Sequence, residues 1–246
     1  MITSLRKSFN TYSKSPFPFV WASLMYLFVF VATVLACIGL IVVYFICMSI
    51  LNQPVDPQAI PTLAVASVVA LLLLLLLNGL NAALAGGYHA AFWKEKMTLT
   101  TFYAYAIDKA PTTFAIMLLR ELIWVLLVCP ALLVYVYALS SVPYMDLLVG
   151  GYVLSMTFVI HMVFTPAFIA AGAFGTDLYN SLKHAFDFLR RRHINFVGQY
   201  ILFAVVWLVN FIPFLQFVTI FFAYPVVYTA MISMMEDSVK IAKEED

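Results

Sequence analysis

The chain has 246 residues, 65% of them hydrophobic and only 10% charged, with a formal net charge of +1 at pH 7. That composition excludes a soluble globular domain, and so small a net charge excludes nucleic acid or an acidic polymer as a partner drawn in by bulk charge. The three cysteines, Cys37, Cys47 and Cys129, lie inside apolar runs without metal-ligand spacing and read as spectator thiols.

An amphipathic segment opens the chain, with Ile2, Leu5, Phe9 and Tyr12 on one face. Residues 17–51 then carry no charge and exceed the ~20 needed to cross a hydrocarbon core, so the first span is expected to tilt or to project beyond the bilayer. Val34-Leu35-Ala36-Cys37 resembles a lipoprotein processing site, but the run is far longer than a signal-peptide core and no polar mature chain follows, so no cleavage is expected. Asn52 to Ile60, with Pro54 and Pro57, predicts a short external turn. The second span covers 62–92 and includes Leu71 to Leu77; Gly79, Ala83 and Gly87, spaced four apart, let a neighbouring helix approach closely.

A second amphipathic segment (Leu99, Phe102, Tyr103, Ala106, Ile107) leads into a third span over 112–139, and a fourth covers 147–174. A third such segment (Leu178, Leu182, Ala185, Phe186, Leu189) ends at the triplet Arg190-Arg191-Arg192. Residues 194–235 are again uncharged. Asn210-Phe211-Ile212-Pro213 interrupts them, because proline has no N–H to donate and clashes with the preceding turn, and the pattern predicts two spans over 194–211 and 214–235.

The thirteen basic residues assign these spans a direction. Arg6, Lys7 and Lys14 precede the first; Lys94, Lys96, Lys109 and Arg120 cluster after the second; Lys183 and Arg190 to Arg192 follow the fourth; Lys240 and Lys243 follow the last. The alternate connections, around Asp56, Asp146 and Asn210, contain none. Positive charge resists translocation, so the expected protein is all-α, a single domain over 1–246 with six spans in the cell membrane and both termini in the cytoplasm.

The first and third amphipathic segments align without gaps. Ser4-Leu5 matches Ser181-Leu182, Phe9 matches Phe186, Lys14 matches Arg191, and Phe19-Val20 matches Phe196-Val197. In a fainter middle copy, Lys109, Pro111 and Phe114 match Lys14, Pro16 and Phe19. The expected unit is a cytoplasmic amphipathic helix, a basic elbow and a transmembrane hairpin, repeated in parallel over 1–60, 96–146 and 176–246. Interfacial helices bury an apolar face at the headgroup boundary while their cations meet phosphates. Arg6, Lys7, Lys14, Lys109, Arg190, Arg191 and Arg192 are therefore candidate headgroup contacts, with topological anchoring as the plainer role.

Three features together resemble the polytopic membrane domain fused to some glycerophosphoryl diester phosphodiesterases, and related bacterial and archaeal multi-pass families. They are Gly86-Gly87-Tyr88-His89-Ala90-Ala91 closing the second span, the Leu99 to Phe102 entry into the third, and Asp177 to Arg192 before a tightly turned final hairpin. The resemblance implies a six-helix fold without a settled chemistry. Nothing in the chain matches the phosphodiesterase barrel or its metal ligands, so that activity is not implied.

Ionisable groups at membrane depth are costly and raise functional hypotheses. Arg120 and Glu121 fall roughly 13–15 Å beyond Pro111 at 1.5 Å per residue, and His161 lies roughly 20 Å from the cytoplasmic end of its span. Asn78 and Asn81 sit one turn apart. Collected, these five are expected either to bond neighbouring helices together or to line a polar cavity opening to the cytoplasm. There is no HExxH pair, no GxxxxGK[ST] loop and no GxSxG elbow, and no cofactor is called for. The expected function is therefore non-enzymatic: a lipid-binding protein or an accessory subunit, with membrane lipids and a membrane-protein partner or second copy as partners. The alternative is a small-solute or ion carrier or channel.

Overall fold

The structure is a computed structural model that describes residues 2–51, 60–209, 212 and 215–245, with backbone alone at 139, 193 and 239–245. The expected turn at 52–59 and most of the 210–213 break lie outside the described residues. All regular structure within them is helical: α1 Ile2–Lys14, α2 Phe17–Ile50, α3 Ile60–Phe92, α4 Leu99–Val134, α5 Met145–Ala173, α6 Leu178–Val209, α7 Leu215–Val218 and α8 Tyr224–Glu245. Short π-helical stretches, Tyr135–Leu139 and Thr219–Ala223, extend α4 and join α7 to α8. Five helical stretches are long and apolar enough to cross a bilayer: α2, α3, α4 with its π extension, α5, and Leu215–Ser238. Helix α6 passes the same test only with its two halves taken together, as a broken span or a re-entrant loop: Arg192 leaves helical geometry (φ −131°, ψ 16°) and turns Leu178–Arg192 by 109° from Ile194–Val209.

Helix α3 is the hub, packing on α2, α4, α5 and α8. The hairpins α2–α3, α4–α5 and α6–α8 each pair their own helices. Each amphipathic segment leans on the last helix of the hairpin before it. The start of α4 meets α3 through Ala106 and Ala110, the start of α6 meets α5 through Leu182 and Ala185, and α1 closes the circle on α8.

Small residues decide where this bundle packs tightly. A Cβ on Gly79 would stand 2.1 Å from the Ala106 carbonyl oxygen and 2.8 Å from Ala110 Cβ, and one on Gly172 would stand 2.8 Å from the Ala82 carbonyl oxygen. Here α3 touches α4 and α5 backbone to backbone, as small residues permit. Phe19, Tyr88, Phe102, Ile169, Phe188, Phe196 and Met231 fill the same end of the bundle, the end that carries α1 and the basic elbows. Towards the opposite end, α2 beyond Cys37 and α5 before Ile160 bury nothing fully, and the matching halves of α3 and α4 bury only Val69 and Val128. The helices are thus packed at the basic end and splayed at the other, where Leu71, Leu72 and Leu74 are exposed.

The amphipathic segments differ from expectation in two respects. In α1 the bundle-facing residues are Leu5, Ser8 and Tyr12, while Ile2 and Phe9 face outward; in α6 Phe188 is buried and Phe186 faces outward. The middle segment has no elbow: α4 runs unbroken through Pro111 for 36 residues. Ala106 and Ala110, locked against Gly79, hold its first turns in line with the span, and the Thr113 hydroxyl donates to the Lys109 carbonyl at 2.8 Å just past the proline.

The last crossing carries a local device. The wider π turn places the Tyr224 N–H on the Thr219 carbonyl, and Pro225 has no N–H to give. The carbonyls of Ile220 and Phe221 are instead taken by side chains: Ser23 donates to the first at 3.1 Å and Tyr12 to the second at 2.7 Å. The Ser23 hydroxyl also meets that of Tyr88 at 2.8 Å, which ties α1, α2, α3 and the last crossing into one polar knot.

Candidate functional site

Where the helices splay, α3, α4, α5, α6 and α8 enclose a cavity of about 1100 Å³. Its lining runs from Leu84, Met117, Phe168 and Tyr228 at the packed end to Leu132, Tyr135, Asp146 and Leu208 at the splayed end. The lining therefore extends to the end opposite the basic elbows. The residues of the basic elbows do not line the cavity.

Asn78, Asn81, Arg120 and His161 all line this cavity; Glu121 does not. Arg120 reaches it from α4. Its Nε and Nη2 donate to the single Glu121 oxygen Oε1 at 2.9 and 2.5 Å, and its guanidinium carbon lies 5.5 Å from the centre of the Phe168 ring, a cation–π distance. Glu121 projects to the outer side of α4, its side chain 44% exposed against 21% for Arg120. From α5, His161 Nδ1 lies 2.9 Å from the Thr157 carbonyl oxygen. A carbonyl only accepts, so Nδ1 carries the proton. From α3, Asn78 Nδ2 donates to the Leu74 carbonyl at 2.8 Å and to Met117 sulfur at 3.1 Å, and the Asn81 Oδ1 accepts from Tyr26 at 3.3 Å.

Sequence reasoning missed the opposite wall. Phe158, Tyr200, Phe203, Tyr224 and Tyr228 line it and pack ring to ring, with centroids 5.2 Å apart for Phe158–Tyr200 and 5.5 Å for Tyr224–Tyr228. Aromatic residues are common in any span, so spacing alone would not single these out.

The basic candidates stay at the packed end. Arg6, Lys7 and Lys14 share one stripe of α1 with Thr3, Asn10 and Thr11, forming a shallow cleft. Lys7 also sits 5.1 Å from the Phe92 ring centre. Lys109 pairs with Asp108 at 2.9 Å. Arg190 and Arg191 are exposed at the α6 bend, and Arg192 is half-buried there.

A set of crossing helices around an intramembrane cavity defines a multi-pass membrane protein. No protein-family model, no curated protein and no solved structure matches the chain.

Proposed function

We propose that the protein is a non-enzymatic lipid-binding membrane protein whose binding site is this cavity. The observation that carries the reading is the cavity's division of labour. Asn78, Asn81, Arg120 and His161 supply a polar patch at its inner part, and apolar side chains such as Leu132, Val153 and Leu154 flank the way out. Ligand sites are commonly apolar clefts of ~300–1,000 Å³ with a few converging polar groups, and this volume suits an amphiphile with at least one acyl chain. The basic elbows face the cytoplasm in this reading, with both termini, so the cavity opens to the outer leaflet. Arg6, Lys7, Lys14, Lys109 and Arg190 to Arg192 meet inner-leaflet phosphates.

Three parallel repeats underlie the ring. The reading is supported by the cyclic packing of the amphipathic segments and by burial shared between the first and third copies: Ser8 with Ala185, Phe19 with Phe196 and Ser23 with Tyr200 are buried, while Phe9 and Phe186 are both exposed. The outward Glu121 carboxylate supports a second role as an accessory subunit, since at membrane depth a protein partner or second copy would cover it.

The test is native mass spectrometry with lipid analysis of the purified protein. A lipid enriched over the surrounding membrane is expected, and its absence overturns the reading. A small-solute carrier is the second reading, favoured by the convergence of four polar side chains on one cavity. Solute uptake into vesicles that the variant Arg120→Gln abolishes would establish it over lipid binding.

A further inference from the structure

Resting on the lipid-binding reading, we infer that the cavity selects the headgroup: a phosphodiester carrying a hydrogen-bond donor of its own, an ethanolamine ammonium or a glycerol hydroxyl, in preference to a choline. The polar patch carries both unspent donors and unspent acceptors. Arg120 has five N–H donors, of which two go to Glu121, leaving three on a guanidinium that lines the cavity. Asn81 accepts from Tyr26 on Oδ1, which leaves its Nδ2 donors. Fixed donors of this kind complement the non-bridging oxygens of a phosphate, and guanidinium is well suited to hold them.

The same patch also offers acceptors. His161 commits its Nδ1 proton to the Thr157 carbonyl, leaving the Nε2 lone pair of the neutral ring. Asn78 spends its Nδ2 on Leu74 and Met117, leaving Oδ1. A phosphate has nothing to donate to these two atoms, and neither has a trimethylammonium. An ethanolamine or glycerol headgroup does. In hydrocarbon surroundings an acceptor without a donor is costly, so the match discriminates.

The chains leave towards the splayed end past Gly150. A Cβ there would meet no atom within 4 Å, nor would one on Gly151, yet only Gly150 lines the cavity. Neighbouring glycines thus make a matched pair: both have open space at the Cβ position, and only one lines the exit.

The experiment loads the delipidated full-length protein with phosphatidylethanolamine, phosphatidylglycerol or phosphatidylcholine of identical chains, and reads the bound fraction by native mass spectrometry. Either or both of the first two should be retained about tenfold over the third, the loss expected for one unmet hydrogen bond to a charged or buried group. His161→Phe should remove that preference, and Arg120→Gln should weaken all three. The double variant Arg120→Gln/Glu121→Gln supplies the comparison if the single variant unfolds. Gly150→Leu should reduce all binding while Gly151→Leu leaves it unchanged. Equal retention of the three lipids overturns the headgroup inference but leaves the cavity reading standing. No retention of any of them, or a Gly150→Leu variant that binds normally, overturns the cavity reading itself.

Discussion

The Tyr12 hydroxyl donates to the Phe221 carbonyl at 2.7 Å, a group left without a backbone partner by the π turn and by Pro225. Burial raises the Tyr12 pKa above its ordinary value of 10.0, so the phenol keeps its proton and remains a donor. Through this bond α1, which is too short to span a bilayer, is fastened to the Leu215–Ser238 crossing. Tyr12→Phe should lower stability by about 1–3 kcal/mol, the cost of a stranded carbonyl. Pro225→Ala restores an N–H to the same turn, so Tyr12→Phe should cost less in that background. Unfolding of the four variants in a double-mutant cycle measures the coupling, and purely additive effects would refute it.

The glycines that set the packed end should resist even one methyl group. Gly79→Ala drives its Cβ into the Ala106 carbonyl oxygen and Gly172→Ala into that of Ala82. Each should destabilise by about 1–3 kcal/mol through overpacking. Gly150→Ala, with open space around its Cβ, should leave the unfolding temperature unchanged. Thermal unfolding in detergent separates the two groups.

Removing one member of the Arg120–Glu121 pair strands a charge at membrane depth. Arg120→Gln and Glu121→Gln should each destabilise. The double variant should be more stable than their sum predicts, by about 1 kcal/mol or more. The half-exposed Glu121 carboxylate keeps the effect below that of a fully buried pair.

The proposed orientation places Lys96 and Asp146 on opposite sides of the membrane. In a chain whose three native cysteines are replaced, a cysteine at 146 should react with an impermeant maleimide added outside intact cells. A cysteine at 96 should react only after permeabilisation. Labelling of both from outside would reject the topology and the outward-opening cavity with it.

Span positions were readable because a helix crossing hydrocarbon must be long and apolar, and that shows in composition. The elbows at Ser15-Pro16 and Arg192 were readable from proline and a basic cluster, whereas the same reasoning placed an elbow at Pro111 that α4 does not have. One proline removes one hydrogen bond; whether the helix bends there depends on what its neighbours hold in line, here Gly79 against Ala106 and Ala110. Asn78, Asn81, Arg120, Glu121 and His161 stood out because polar groups are expensive at membrane depth. Their convergence was not readable. A helix that is apolar all round carries no stripe to tell which side faces its neighbours, so the direction of each side chain was open. The aromatic wall of Tyr200, Tyr224 and Tyr228 was hidden for the same reason.

By itself the sequence determined which stretches are long and apolar enough to cross a bilayer, which connections carry charge and which polar groups fall within apolar stretches, since all of these follow from transfer free energies summed along the chain. Tertiary structure alone decided that four of those polar groups share one cavity, that Glu121 turns away from it, and that the lining reaches the end opposite the basic elbows. Those outcomes depend on where two backbones can touch, and contact between distant segments is a property of the packed bundle that no local stretch of residues contains.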